Sequence, residues 1–201
     1  MSLTVISSST KSILIVLFNG DPVREIHTGL FGMNPRLSLP DDKDWKRYLD
    51  TLEFNRAKSY LLRRLSRQNA HSVQASQWLK ERLVQPEIVH QLLVEFEEKG
   101  FINDTEWIVH YLETHKKKYG IRKLLFELGR KGISVDPALI EDGLSDEKKA
   151  IAQILQKRYR SENFSDRKVR EKIAASLARR GFSHEAISYS LSRLIYLPAI
   201  T

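Results

Sequence analysis

The residues of this 201-residue chain whose type and spacing could do chemistry are cationic. Lys123, Arg130 and Lys131 return as Lys172, Arg179 and Arg180, each 49 positions further on, and Lys168 stands one helical turn before Lys172. On a helix, at roughly 100° per residue, Lys168, Lys172 and Arg179 fall within about 40° of each other and flank a Val169/Ile173/Leu177 seam. Side chains of this kind supply salt-sensitive attraction to DNA phosphates or to an acidic protein surface, and these seven are the candidate binding residues. The plain alternative is that they solvate the outside of amphipathic helices.

The remaining constellations point away from catalysis. His115-Lys116-Lys117-Lys118 reads as cations closing a helix, where exposed carbonyls favour positive charge. Glu106, His110 and Glu113 share one helix face. Their spacing is not that of a zinc helix and no fourth ligand is near in sequence, so no metal is expected. The chain has no cysteine, which removes thiolate metal sites, disulfides and thiol nucleophiles together. It has no P-loop, no GxGxxG and no GxSxG, so neither a cofactor nor an enzyme is expected. Trp45, Trp78, Trp107 and Tyr111 sit among helical apolar positions, which predicts packing rather than base stacking.

The elements that must position the cations repeat. Leu79, Leu128 and Leu177 are spaced by 49 positions, from 79 to 128 and from 128 to 177, each inside a short helical pattern. Gly132 and Gly181 close two of these helices, and Leu83 holds that place in the first. A fixed period of this length marks tandem helical units. Ahead of them, LTVI, SILIVLF and VREIHT, with an Asn19-Gly20 pair between the last two, read as antiparallel strands joined by a tight hairpin. The cluster Asp41-Asp42-Lys43-Asp44 then opens a helix carrying Leu49, Leu52, Leu61 and Leu65, which links the sheet to the first repeat and supports it.

Repeat one continues with Ser72 as N-cap and a third helix begun by Pro86, burying Val89, Leu93 and Phe96. Repeat two opens at Asn103-Asp104 and buries Trp107, Ile108, Tyr111 and Leu112; its third helix starts at Asp136-Pro137 and buries Ile140 and Leu144. Repeat three uses Ala150, Ile151, Ile154 and Leu155, then Ile173 and Leu177, then Ser183 as cap before Ile187, Leu191 and Leu194. The expected fold is mainly α: tandem three-helix repeats in an elongated array with a small N-terminal antiparallel sheet. Its divisions are 1–40 (strands), 41–102 (linking helix and repeat one), 103–145 (repeat two) and 146–201 (repeat three).

The formal net charge is +8 and the pI about 9.6, an excess that suits an acidic partner. Residues 1–50 balance, so the surplus lies further on and mostly beyond residue 100. The longest apolar run, Ile13 to Phe18, is far short of the roughly 20 residues that span a bilayer. Only Lys11 precedes it and Asn19-Gly20-Asp21-Pro22 cuts it off, so it is not a secretion signal either. A cytoplasmic protein with no membrane partner is expected.

Phe101-Ile102-Asn103-Asp104, then Trp107, a basic run to Tyr119-Gly120, then Leu124, Leu128 and Lys131-Gly132-Ile133 resembles the central motif of RecX-type regulatory proteins, the bacterial modulators of the recombinase RecA. Leu177-Ala178-Arg179-Arg180-Gly181-Phe182-Ser183 is similar to the end of the middle helix in that family's third repeat. The resemblance covers about Leu3 to Ile195. It departs from the family pattern at Leu83, where glycine is usual and a different helix ending is expected, at Asn103, and at His71. What it implies is a non-enzymatic, monomeric regulator that binds RecA filaments and, weakly and salt-dependently, single- or double-stranded DNA. Inhibition is the expected direction. The alternative reading of the residues is a stand-alone nucleic-acid-binding helical repeat protein that needs no recombinase.

Overall fold

The computed structural model describes residues 2–39, 44–140 and 143–195. Asp41, Asp42 and Lys43, and the side chains of Leu144 and Leu194, lie outside the described residues. The chain forms two compact units, Met1–Asp104 and Thr105–Thr201.

In the first unit, β1 (Leu3–Ser7), β2 (Ile13–Phe18) and β3 (Asp21–His27) make an antiparallel sheet in that order. The turn between β2 and β3 puts Asn19 at φ 51° and Gly20 at φ 97°, the left-handed pair whose twist matches that of the flanking strands. Pro22, which has no N–H to give a neighbour, sits on the outer strand beside the irregularity at Val16/Leu17. Alternation buries Leu14, Val16 and Ile26 against Leu49 of a long helix. A short turn of helix, α1 (Thr28–Phe31), precedes that helix, α2 (Trp45–Leu65). Asp44 caps α2 by accepting from the Lys46 N–H at 2.9 Å, so the last member of the acidic cluster does what the cluster predicts.

Two further helices, α3 (Ser72–Lys80) and α4 (Pro86–Glu98), close on the other end of α2. Ala57 and Leu61 of α2 share one core with Trp78, Leu79, Val89, Leu92 and Phe96. The expected linking helix is thus itself the first helix of a three-helix group, with one end under the sheet and the other in the group's core. An ion pair ties it to the sheet: Arg24 of β3 donates to Asp50 at 2.6 Å and to Glu53 at 3.2 Å.

α5 (Asp104–His115) starts on the last residue of the first unit and otherwise belongs to the second, which also holds α6 (Ile121–Arg130), a 3-10 turn (Pro137–Ile140), then α7 (Gly143–Arg158), α8 (Arg167–Arg179) and α9 (His184–Ile195). One core gathers Ile108, Leu112, Leu124, Leu128 and Ile133; a second gathers Ile151, Leu155, Ile173, Leu177, Phe182 and Ile187. The third helix expected at Asp136-Pro137 is only a single 3-10 turn. Asp136 does cap it, accepting from the Ala138 N–H at 2.9 Å. Only seven positions separate Asp136 from Gly143, where α7 begins, too few for a packed α-helix, and Leu139 with Ile140 completes the core instead.

Two other expectations are corrected at helix ends. The N-cap of α3 is His71, whose Nδ1 accepts from the Gln74 N–H at 3.3 Å; Ser72 is turned to other use. At the C-terminus of α3, Leu83 adopts φ 57°, the same left-handed conformation as Gly132 (76°) and Gly181 (83°). The Val84 N–H reaches the Leu79 C=O at 3.2 Å, just as Ile133 reaches Leu128 and Phe182 reaches Leu177. So the first repeat ends its middle helix as the others do, with about 1–2 kcal/mol of local strain that glycine avoids.

Carboxylates pin the helix starts, two of them buried, Glu53 and Glu147. Glu53, 1 % exposed, accepts from the Gln85 N–H at 2.6 Å, directly before α4. Glu147 on α7 accepts from the Ser183 N–H at 3.0 Å, directly before α9, and from the Ile121 N–H at 2.9 Å, at the start of α6. Asp104 likewise accepts from the N–H of Ser72, at the start of α3, at 2.7 Å and from its hydroxyl. Burial pushes Glu53 above the usual carboxylate range, against the opposing pull of the Gln85 N–H and Arg24. Replacing Glu147 with alanine leaves two helix starts without an acceptor. A loss of about 2–3 kcal/mol is expected from chemical denaturation of the full chain; an unchanged midpoint refutes the role.

Candidate nucleic-acid interface

The α5–α6 loop and the end of α8 meet through a backbone hydrogen bond. The Gly120 N–H donates to the Arg180 C=O at 3.0 Å, and Gly120 is buried. A Cβ on Gly120 would stand 2.3 Å from the Gly181 oxygen and from the Phe182 nitrogen. Only glycine permits that approach. Its result is electrostatic: the loop cations Lys117 and Lys118 come beside Arg180, while α7 brings Lys157 and Arg158 to the same place.

These five side chains line a cavity of about 470 Å³ together with Tyr119, Gln153 and Ile154. No carboxylate lines it, and none of the five makes an ion pair among the described residues. Five like charges around one concave site repel one another, and a polyanion relieves that repulsion. Lys116, the loop's neighbour, behaves differently: Glu113 at 2.5 Å and Asp146 at 3.1 Å hold it, and their hydrogen bonds raise its pKa. The His115–Lys118 run is therefore divided. His115 and Lys116 terminate the helix, and Lys117 with Lys118 face the groove.

The seven cations singled out by spacing do not gather in one place. Arg180 lines the groove just described. Lys123 and Arg179 line a neighbouring depression between α6, α8 and α9, beside Arg122. The Lys123 ammonium lies 4.4 Å over the Tyr119 ring. Arg130 and Lys131 are exposed at the end of α6, where the helix carbonyls favour them. Arg130 approaches Glu127 at 3.7 Å, an exposed contact that contributes little. Lys168 and Lys172 are exposed on α8.

The expected flanking of the seam is also corrected. Ile173 and Leu177 are buried, but Lys168, Lys172 and Arg179 lie roughly 140–180° around the helix from Leu177. They occupy the outward face. Lys157, Arg158, Lys117 and Lys118 were not legible as a site from spacing, because two of them are on α7 and two in a loop. The remaining signal was compositional: adjacent cations at the ends of α5 and α7.

The expected packing roles of the aromatics hold. Trp78 is 5 % exposed in its core, Trp45 stacks on Phe18 at 5.6 Å between ring centroids, and Trp107 stacks on Tyr111 at 5.3 Å.

The family model for the third three-helix domain of RecX matches residues 146–191, which run from α7 into α9. A regulatory protein RecX of Bacillus subtilis (strain 168) is 26 % identical over 149 residues, covering 71 % of this chain; the chain spans 55 % of that relative's length. A regulatory protein RecX of Streptococcus pyogenes serotype M3 (strain SSI-1) is 25 % identical over 203 aligned positions, 96 % of this chain and 77 % of that protein. Two crystal structures share the fold. One, of a regulatory protein RecX, superposes with TM-score 0.64 at 19 % identity over 93 % of this chain and 96 % of the other. The second, RecX from Lactobacillus salivarius, gives TM-score 0.62 at 21 % identity over 72 % and 98 %. A RecX domain model matches residues 146–191, RecX relatives align along nearly the whole chain and solved RecX structures share its fold: in sequence and in fold the chain is similar to the RecX-type proteins.

Proposed function

We propose that this chain is a non-enzymatic regulator that binds RecA filaments on DNA and modulates the recombinase, with inhibition as the expected direction. The observation that carries this reading is the groove of Lys117, Lys118, Lys157, Arg158 and Arg180, five cations with no carboxylate among the residues that line it. Its contribution is backbone attraction: phosphates along either a single strand or a duplex satisfy it without any base being read. Arg179 and Lys123 extend the field on one side, and Lys168, Lys172, Arg130 and Lys131 add to it as exposed charges. The repeat divisions 41–102, 103–145 and 146–201 belong to the same proposal, the middle helices of the second and third repeats being the ones offered to the nucleoprotein surface. The protein acts as a cytoplasmic monomer. No helix among the described residues is long and apolar enough to cross a membrane.

The test is DNA-dependent ATP hydrolysis by RecA. The rate is expected to fall when the chain is added at well below one copy per recombinase, and the effect persists when DNA is in large excess. An effect that vanishes with excess DNA sinks the recombinase reading and leaves a protein that only competes for DNA. That second reading draws on the same groove, which by itself needs no recombinase.

A further inference from the structure

The depression between α6, α8 and α9 differs in kind from the phosphate-type groove. Its volume is about 800 Å³. Small side chains, Ala174, Ala175 and Ala178 of α8, form one wall, and Phe126 of α6 forms the other. Lys123 and Arg179 stand on its rim. Phe126 is 65 % exposed, the second most exposed of the large apolar side chains among the described residues. The repeat does not require an aromatic there: 49 positions before it stands Gln77 and 49 positions after it Ala175, neither of them buried. Packing within the unit therefore does not explain Phe126.

We propose that this depression docks an acidic amphipathic helix of a partner protein. The alanines let a helix approach α8 closely, Phe126 offers an apolar wall for its hydrophobic stripe, and Lys123 with Arg179 attract the carboxylates beside that stripe. The one carboxylate in the lining, Glu127, is already directed at Arg130. Charge complementarity selects the partner: a basic helix meets Lys123, Arg179 and Arg122, and a bare phosphate chain gains nothing from Phe126 or the alanine wall. This inference rests on the regulatory reading only in assuming a protein partner. It does not depend on the five-cation groove.

The experiment uses the full chain and a fluorescein-labelled peptide of about 18 residues, long enough for five helical turns, with Leu at i, i+3, i+4 and i+7 spacing and Glu on the remaining face, read by fluorescence anisotropy. The expected result is saturable binding that weakens at least tenfold in F126D and in A175E, with thermal melting of both variants unchanged. A peptide of the same composition with its Leu scattered around the helix is expected to bind at least tenfold more weakly. Affinity for a labelled oligonucleotide, measured alongside, is expected to be unaltered by F126D. No binding of the designed peptide, equal binding of the scattered one, or equal weakening of peptide and oligonucleotide by F126D overturns the proposal. Failure of the ATP hydrolysis test with peptide binding intact would reject RecA as the partner while leaving the docking surface.

Discussion

Gly120→Ala is expected to destabilise the Thr105–Thr201 unit by about 3 kcal/mol, enough to lower its melting temperature by roughly 10–20 °C. The added methyl would sit 2.3 Å from backbone atoms of Gly181 and Phe182, and backbone cannot swing aside as the end of a lysine can. Relief requires moving the α5–α6 loop away from the end of α8, which also breaks the Gly120 N–H to Arg180 C=O bond, worth about 1 kcal/mol. Thermal unfolding followed by circular dichroism supplies the magnitude, and amide hydrogen exchange locates the loss. Exchange that quickens in 105–195 but not in 2–104 is the expected pattern. A variant as stable as the parent would mean that the close approach is not a constraint in solution. The substitution should also weaken polyanion binding, since it separates Lys117 and Lys118 from Arg180.

The second large effect is electrostatic. Replacing Lys117, Lys118, Lys157, Arg158 and Arg180 together by glutamate is expected to lower affinity for duplex DNA about 100- to 1000-fold at roughly 50 mM salt. The logarithmic salt dependence should become shallower by about three to four, at roughly 0.9 for each phosphate that the variant no longer neutralises. All five are at the surface of the groove and unpaired by carboxylates among the described residues, so the fold forfeits no ion pair in the change. A parallel variant reversing Lys168, Lys172, Arg130 and Lys131, which line neither groove, serves as the control for charge reversal outside the groove. It should reduce affinity by no more than about tenfold. Equal losses in the two variants would show that only net charge matters and that the groove has no special standing.

What residues alone make legible differs by element. The 49-residue spacing of Leu79, Leu128 and Leu177 locates the middle helices, because buried positions in helices of the same kind return with the same period. Asn19-Gly20 locates the hairpin, because few other pairs take two left-handed residues in succession. Leu83 misleads for the complementary reason. The ending of α3 is set by where the Val84 N–H and Leu79 C=O must meet, and a non-glycine residue tolerates the geometry at a modest cost. The third helix of repeat two fails through length: a proline after an aspartate is a sound start signal, but it does not state how soon the next element begins. The groove is hidden because its members come from a loop, α7 and the end of α8, and periodicity reports only residues that share an element. Glu53 and Glu147 are equally silent, since a buried glutamate carries no spacing of its own.

The carboxylate contacts of Asp104 and Glu147 have a bearing on how this chain can be cut. Ser72 begins α3 and is held by Asp104; Ile121 begins α6 and is held by Glu147. In both cases the acceptor comes from the helix that opens the following repeat, so each module borrows a keystone from its successor. A fragment ended at residue 102, or at residue 142, would look complete by its cores yet lack that keystone, and its middle helix would fray. A fragment extended past Asp104 keeps the first of these contacts; one ended just past Glu147 keeps the second but still loses the Gly120 N–H to Arg180 C=O bond, so no workable scissor site lies between 105 and 195.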